Sequence, residues 1–103
     1  MKVIIDGLRY DTDAPRTKLL GSASHLGPGD FSHWRAELYR TGGRRFFLYG
    51  TGGPMTRFAQ PSGNNSWTGG ERIIPLPEIE ARQWAEQHLD PEVVEEHFEV
   101  KDA

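Results

Sequence analysis

The sequence of 103 residues contains no cysteine, which excludes disulfides and metal sites with thiolate ligands. It also lacks any run approaching the roughly 20 apolar residues that a bilayer-spanning helix needs. The apolar stretch at residues 3–5 is too short for a signal peptide. We therefore expect a cytoplasmic protein without a membrane segment. A chain of this length has room for one core, so we predict a single domain over residues 1–103.

Charges of the two signs are unevenly distributed along the chain. Residues 1–76 carry ten Lys or Arg against six Asp or Glu, a net charge of +4. Residues 77–103 carry two against nine, a net charge of −7. A run of like charge is most often a solvated face. The alternative interpretation is a surface that meets a basic partner.

Two β-hairpins are predicted from short patterns. Asp6-Gly7 between two apolar stretches favours a type I′ turn. Residues 31–41 alternate between apolar and polar side chains, with Trp34, Ala36 and Leu38 on one face. Residues 42–43 are two glycines that form a tight turn, and residues 44–49 are the return strand.

The segments between these elements give weaker patterns. Residues 12–21 are predicted to form a short helix capped by Thr12 or Asp13, with Leu19 and Leu20 facing inward, followed by a loop at 22–30. The glycine-rich residues 50–53 are interpreted as a structural turn. We expect residues 54–59 to make one short turn that packs Met55 and Phe58 against the sheet, and residues 73–74 to form a short strand that ends at Pro75.

The C-terminal region predicts two helices. The first opens at Pro77 and presents one apolar stripe: Ala81, Trp84, Ala85, His88 and Leu89. The second is capped by Asp90, begins at Pro91 and repeats the spacing with Val94, His97 and Phe98. The fold class is therefore α+β, a small antiparallel sheet of two hairpins and a short strand with the C-terminal helices on one face. Its predicted core comprises Trp34, Leu38, Phe46, Leu48, Trp67, Ile73, Trp84 and Phe98.

No catalytic, metal or cofactor site is predicted. The glycine-rich stretch at 50–53 lacks the Gly-Lys-Ser/Thr ending of a P-loop and is followed by Pro54. The four histidines lack the spacing of a metal site, and no Gly-x-Ser-x-Gly elbow is present. We therefore expect a protein without enzymatic activity, cofactor or metal.

One basic-aromatic cluster stands out, formed by Arg40, Arg44 and Arg45 beside three aromatic residues at 46, 47 and 49. Single-strand binding proteins combine arginines along the phosphates with aromatic rings under the bases. The opposing interpretation is that the aromatic side chains belong to the core and the arginines are solubilising residues of a hairpin. The acidic C-terminal part would also repel a polyanion.

The loop before the last strand centres on Trp67. Asn64 and Asn65 tolerate left-handed backbone, so the loop can be ordered by itself. We interpret Trp67 as a buried anchor that packs over the sheet. The alternative is an exposed tryptophan that contacts a partner.

Three stretches follow one another in a specific order: YDTDA at 10–14, ELYRTGGRRFFLYGTGGPMTRFA at 37–59 and NNSWTGGERIIPLPEIEARQW at 64–84. In them the chain resembles a family of small uncharacterised proteins of bacterial mobile elements, such as phages and integrated plasmids. It departs from that pattern at Pro15 and in the loop at 21–30. The family has no assigned activity, so the resemblance implies no catalytic residues. It implies an accessory gene on mobile DNA, a setting in which small acidic proteins often occupy a host protein, anti-CRISPR and other anti-defence inhibitors among them.

The leading hypothesis is thus a non-enzymatic module that binds another protein, as a monomer or as a homodimer through a sheet edge. Its candidate partner-binding residues are Trp67, Asn64, Asn65, Glu92, Glu95, Glu96 and Glu99. The alternative hypothesis is a nucleic-acid-binding module that uses the hairpin residues Arg40, Arg44 and Arg45.

Overall fold

A computed structural model describes residues 1–25, 32–53, 56–61 and 67–103, except for the side chains at 61, 67 and 68. Within these ranges the elements are β1 (Lys2–Ile5), β2 (Leu8–Asp11), β3 (Lys18–His25), β4 (Trp34–Arg40), β5 (Phe46–Gly52), β6 (Gln60–Pro61), β7 (Trp67–Thr68), β8 (Gly70–Leu76), α1 (Glu78–His88) and α2 (Pro91–His97). Their strand pairs are antiparallel. The predicted α+β class is confirmed.

The β1–β2 hairpin forms as the Asp-Gly pair predicts. Asp6 and Gly7 have φ angles of 53° and 76°, the left-handed pair that a type I′ turn requires. Ile5 consequently pairs with Leu8, and Val3 with Tyr10. The turn thereby fixes the hairpin's register.

The main sheet has the strand order β3-β4-β5-β8. Its centre is the predicted hairpin of β4 and β5, in which Leu38 pairs with Leu48 and both are fully buried. The strands β3 and β8 form the two edges. The alternation of β4 follows the prediction, with Ala36 and Leu38 buried and Arg35 exposed.

Each face of this sheet is covered by a different element. The helices cover one face, where Leu38, Phe46 and Leu48 pack with Trp84 and Phe98. The β1–β2 hairpin covers part of the other face, where a second, smaller cluster joins Tyr10, Phe47 and Ile73. The single predicted core is thus divided: Ile73 belongs to the second cluster, Trp34 is half-buried, and the side chain of Trp67 lies outside the described residues.

The helix predicted at 12–21 is wrong, because β3 begins at Lys18 and continues to His25 through the first part of the predicted loop. The candidate caps make other contacts. The Oγ1 of Thr12 accepts from the N-terminal ammonium at 2.9 Å, and the Asp13 backbone N–H donates to the Asp11 carboxylate at 3.0 Å. Leu20 is buried as expected, whereas Leu19 is 48% exposed. Pairing with β4 outweighs a weak local preference for helix.

Two further predictions of local structure are also wrong. Residues 50–52 belong to β5 rather than to a turn, and β8 contains Pro75 instead of ending before it. Proline is tolerated there because β8 is an edge strand. The glycine at position 50 has a packing reason: a Cβ would lie 2.6 Å from Cζ of Phe58, whose side chain is 2% exposed. Phe58 therefore packs on the sheet as predicted, while Met55 lies outside the described residues.

The two helices follow the predicted pattern except at His88, which is exposed although the predicted apolar stripe included it. Pro77 precedes α1, which buries Ala81, Trp84 and Ala85. Asp90 takes the N-cap position of α2, although its side chain makes no capping hydrogen bond. Val94 and Phe98 are buried against the sheet. Neither helix in the described part of the chain has the length and apolar composition to cross a membrane.

Replacement of Trp84 by alanine should reduce the free energy of unfolding by about 3–5 kcal/mol, because it leaves a cavity between α1 and the sheet. Its side chain is 8% exposed. Urea unfolding followed by far-ultraviolet circular dichroism measures this loss. Ile79→Ala on the same helix is the control, since Ile79 is 56% exposed and its truncation should change stability by less than about 0.5 kcal/mol. Equal urea midpoints for the Trp84→Ala and Ile79→Ala variants would contradict the packing of Trp84 between α1 and the sheet.

Candidate anion-binding cleft

The sheet end at the β4–β5 turn brings together residues that are distant in sequence. Arg40 pairs with Lys18 of β3 and with Phe46 of β5, and Phe46 pairs in turn with Leu76 of β8. These four positions form one row, with one residue from each strand. Because β8 leads into α1, Glu78 lies at the same end of the sheet.

A cleft of about 600 Å³ opens beside this row, and we call it the cationic compartment. Its lining also includes His97 of α2 and Glu78, the one carboxylate among its described lining residues. Four of its side chains carry a full positive charge at neutral pH: Arg16, Lys18, Arg40 and Arg44. Side chains of one sign that surround a concave surface concentrate the electrostatic potential there.

Within the described part of the chain, these four cations form no ion pair. The ion pairs in the described ranges join the N-terminus to Asp13 and Arg82 to Glu86, while His97 lies beside Glu96 and pairs with it only when protonated. None of the four cations has a described carboxylate oxygen within 4.0 Å. Three of them are exposed, and Arg40 is half-buried. The compartment is therefore suited to an external anion.

The turn between β4 and β5 holds Arg44 in a left-handed backbone conformation, with φ at 63°. The Arg44 N–H donates to the Thr41 carbonyl oxygen at 3.0 Å, and the Arg45 N–H donates to Thr41 Oγ1 at 3.1 Å. Glycine is the residue that adopts this φ without strain. The two glycines of the turn stand directly before Arg44 and have ordinary φ angles. An arginine is thus held in a conformation that costs roughly 1 kcal/mol, at the edge of the cleft.

His97 adds an imidazole to the wall of the cationic compartment. Its side chain is 6% exposed, and its Nε2 lies 3.8 Å from a carboxylate oxygen of Glu96. Burial is the main cause that lowers the pKa of His97; Lys18 and Arg40 lower it further, while Glu96 raises it. His97 is therefore neutral at pH 7, and the positive charge of the compartment comes from lysine and arginine.

A second cleft of about 590 Å³ adjoins the first, and we call it the ring compartment. Its lining residues include Tyr10, Pro75, Pro77 and Arg45. Arg45 is exposed, whereas Tyr10 is 5% exposed. Three residues line both compartments: Arg44, Phe46 and Glu78. The two clefts therefore form one continuous surface around the β4–β5 turn.

The predicted basic cluster is brought together only in part. Arg40 and Arg44 lie in the cationic compartment, and Arg45 lies in the ring compartment. Phe46 and Phe47 are 5% and 0% exposed. Both belong to the core, so neither offers a free ring face for a base. Of the two interpretations left open for these aromatic residues, the packing favours the core.

Two basic residues of the cleft, Arg16 and Lys18, were missed by the sequence analysis. Residues 12–21 are predicted from the sequence to form a helix, whereas Lys18 begins a strand that pairs with β4. The bulge between Leu19 and Gly21 breaks the two-residue period that would have revealed that strand. The charge of +4 over residues 1–76 was the one available signal.

Of the predicted protein-binding residues, those with described side chains lie outside the lining of both compartments. Four glutamates are exposed on α2 or just beyond it: Glu92, Glu95, Glu96 and Glu99. Asn64 and Asn65 lie outside the described residues. Trp67 begins β7 with its backbone, but its side chain lies outside the described part, so its predicted burial stays a prediction.

The residues that the structure describes contain no group of three or more His, Asp or Glu that could hold a metal ion. Comparisons of the chain with protein-family models, with curated proteins and with solved structures return no match. We therefore infer the function from the geometry of the cleft.

Replacement of Arg44 by asparagine should raise the free energy of unfolding by roughly 0.5–1 kcal/mol, because asparagine adopts left-handed φ angles more readily than arginine. Urea unfolding measures the change. Arg45→Asn is the matched control: it removes the same charge from the next position, which has no positive φ. Equal destabilisation by both substitutions would show that the backbone at Arg44 carries no strain.

Proposed function

We propose that this chain is a non-enzymatic binding domain that holds the phosphate backbone of a nucleic acid in the cationic compartment. The observation that carries the proposal is the set of four cations that line one cleft without a described carboxylate partner. Lysine and arginine bind phosphate by charge, and arginine adds paired hydrogen bonds. Contacts of this kind position a strand without reading its sequence.

The net charge of −3 does not oppose this proposal. Binding depends on the local potential, and exposed charges farther apart than the Debye length of about 8 Å are largely screened at physiological ionic strength. The exposed glutamates of α2 lie outside the lining of the cationic compartment, although a Glu96 carboxylate oxygen lies 3.8 Å from Nε2 of the lining residue His97. We infer that they restrict the orientations in which a polyanion approaches.

We expect neutralisation of the cleft to abolish the binding of a labelled single-stranded oligonucleotide, measured by fluorescence anisotropy. The cleft variant carries Arg16→Gln, Lys18→Gln, Arg40→Gln and Arg44→Gln. Four phosphate contacts predict that the wild-type dissociation constant rises about 50-fold between about 50 and about 200 mM salt. Each single substitution should reduce the slope of log K against log salt by about 0.7, the value for one phosphate contact on a single strand.

The matched control removes the same charge from four exposed positions outside the cationic compartment: Arg9→Gln, Arg35→Gln, Arg57→Gln and Lys101→Gln. It should retain most of the affinity. Equal losses in the two variants, or wild-type binding that does not respond to salt, would contradict the proposal.

The protein-binding hypothesis, including an anti-defence inhibitor, is a second proposal. The exposure of Glu92, Glu95, Glu96 and Glu99 supports it, because four carboxylates on one short segment complement a basic groove. A cytoplasmic location is part of both proposals.

Capture of partners from a nuclease-treated bacterial lysate tests this second proposal. A partner retained by the wild type should be lost when all four glutamates are replaced by glutamine. The control replaces four acidic residues elsewhere: Asp6→Asn, Glu71→Gln, Glu80→Gln and Glu86→Gln. Equal capture by the two variants at low salt would exclude the acidic segment as the binding surface.

A further inference from the structure

We propose that the cleft binds one nucleoside phosphate unit, with the phosphates in the cationic compartment and the nucleoside in the ring compartment. This inference rests on the proposed function and names the ligand of the same cleft. It would make the domain a reader of a mononucleotide or of a single-stranded terminus, in addition to holding a polyanionic backbone.

The shape of the site supports a ligand with two unlike parts. The two compartments measure about 600 and 590 Å³ and meet at Arg44, Phe46 and Glu78. Pockets that hold small molecules usually measure about 300–1,000 Å³. A molecule that extends across the junction would place one end among cations and the other among rings.

The ring compartment combines two proline rings with two arginines, Arg44 and Arg45. Pro75 and Pro77 have no backbone N–H to present. Tyr10 is 5% exposed and is held by an edge-to-face contact with Phe47, with ring centroids 5.6 Å apart, so it offers no free ring face. The planar guanidinium of the exposed Arg45 can stack on a base, and the two proline rings supply apolar surface in the same compartment.

Glu78 gives the strongest indication of a nucleoside. It is exposed, and it has no ion-pair partner in the described part of the chain. An ionised carboxylate accepts hydrogen bonds but donates none, and it repels a phosphate. Its position at the junction therefore fits a ligand that carries N–H or O–H donors next to its phosphates. Nucleosides supply such donors through base amino groups and ribose hydroxyls, whereas an inorganic polyphosphate does not.

The effect of Glu78→Gln on two ligands of similar charge tests the inference. Isothermal titration calorimetry should compare inorganic tripolyphosphate with each of the four ribonucleoside triphosphates. The substitution should weaken binding of the preferred nucleotide about tenfold, because a hydrogen bond to a charged group is lost. The variant should bind tripolyphosphate as tightly as the wild type or more tightly, because the substitution removes a negative charge from the cleft.

Glu80→Gln is the matched control, since Glu80 is also an exposed acidic residue in the first turn of α1 and lies outside both compartments. It should leave both affinities unchanged, and equal thermal unfolding of the two variants will show that the fold is intact.

A Glu78→Gln substitution that alters the affinities for both ligands in the same direction overturns the inference and leaves the proposed function in place. The same holds if the wild type binds oligonucleotides but no nucleotide. Wild-type protein that binds neither tripolyphosphate nor oligonucleotide overturns the proposed function itself.

Discussion

The pairing of β4 with β5 is the interaction on which the rest of the structure depends. Leu38 and Leu48 lie opposite each other at the centre of the sheet and are fully buried beneath the helices. Because side chains alternate along a strand, this register sends Phe46 to the helix face and Phe47 to the opposite face. It thereby creates both hydrophobic clusters. It also sets the end of the sheet at Arg40 and Phe46, where the cleft opens.

The cleft shows how a small acidic protein can carry a basic site. Lysine and arginine from three separate segments meet at one end of the sheet, while the acidic residues of the C-terminal part are concentrated on the helices. The strained backbone of Arg44 belongs to the same end. Strain of this kind persists where the surrounding structure imposes it and often marks a functional position. If the proposed function holds, stability and ligand binding make opposite demands on this residue.

Local chemistry made part of this fold predictable. Asp6-Gly7 specified the first turn, the alternation around Leu38 specified β4, and the apolar stripe around Trp84 specified α1. The strand β3 was not predictable, because a bulge interrupts its period and its identity depends on pairing with a distant partner. For this reason the sequence indicated Arg40, Arg44 and Arg45 but not the full cleft.

The most direct test of the central claim is a titration of ¹⁵N-labelled protein with a single-stranded oligonucleotide, followed by two-dimensional NMR. The account predicts that chemical-shift changes concentrate on backbone amides of the cationic compartment: Arg16, Lys18, Arg40, Arg44 and His97. Changes confined to the exposed segment around Glu92 and Glu95, or a spectrum without any change, would contradict it.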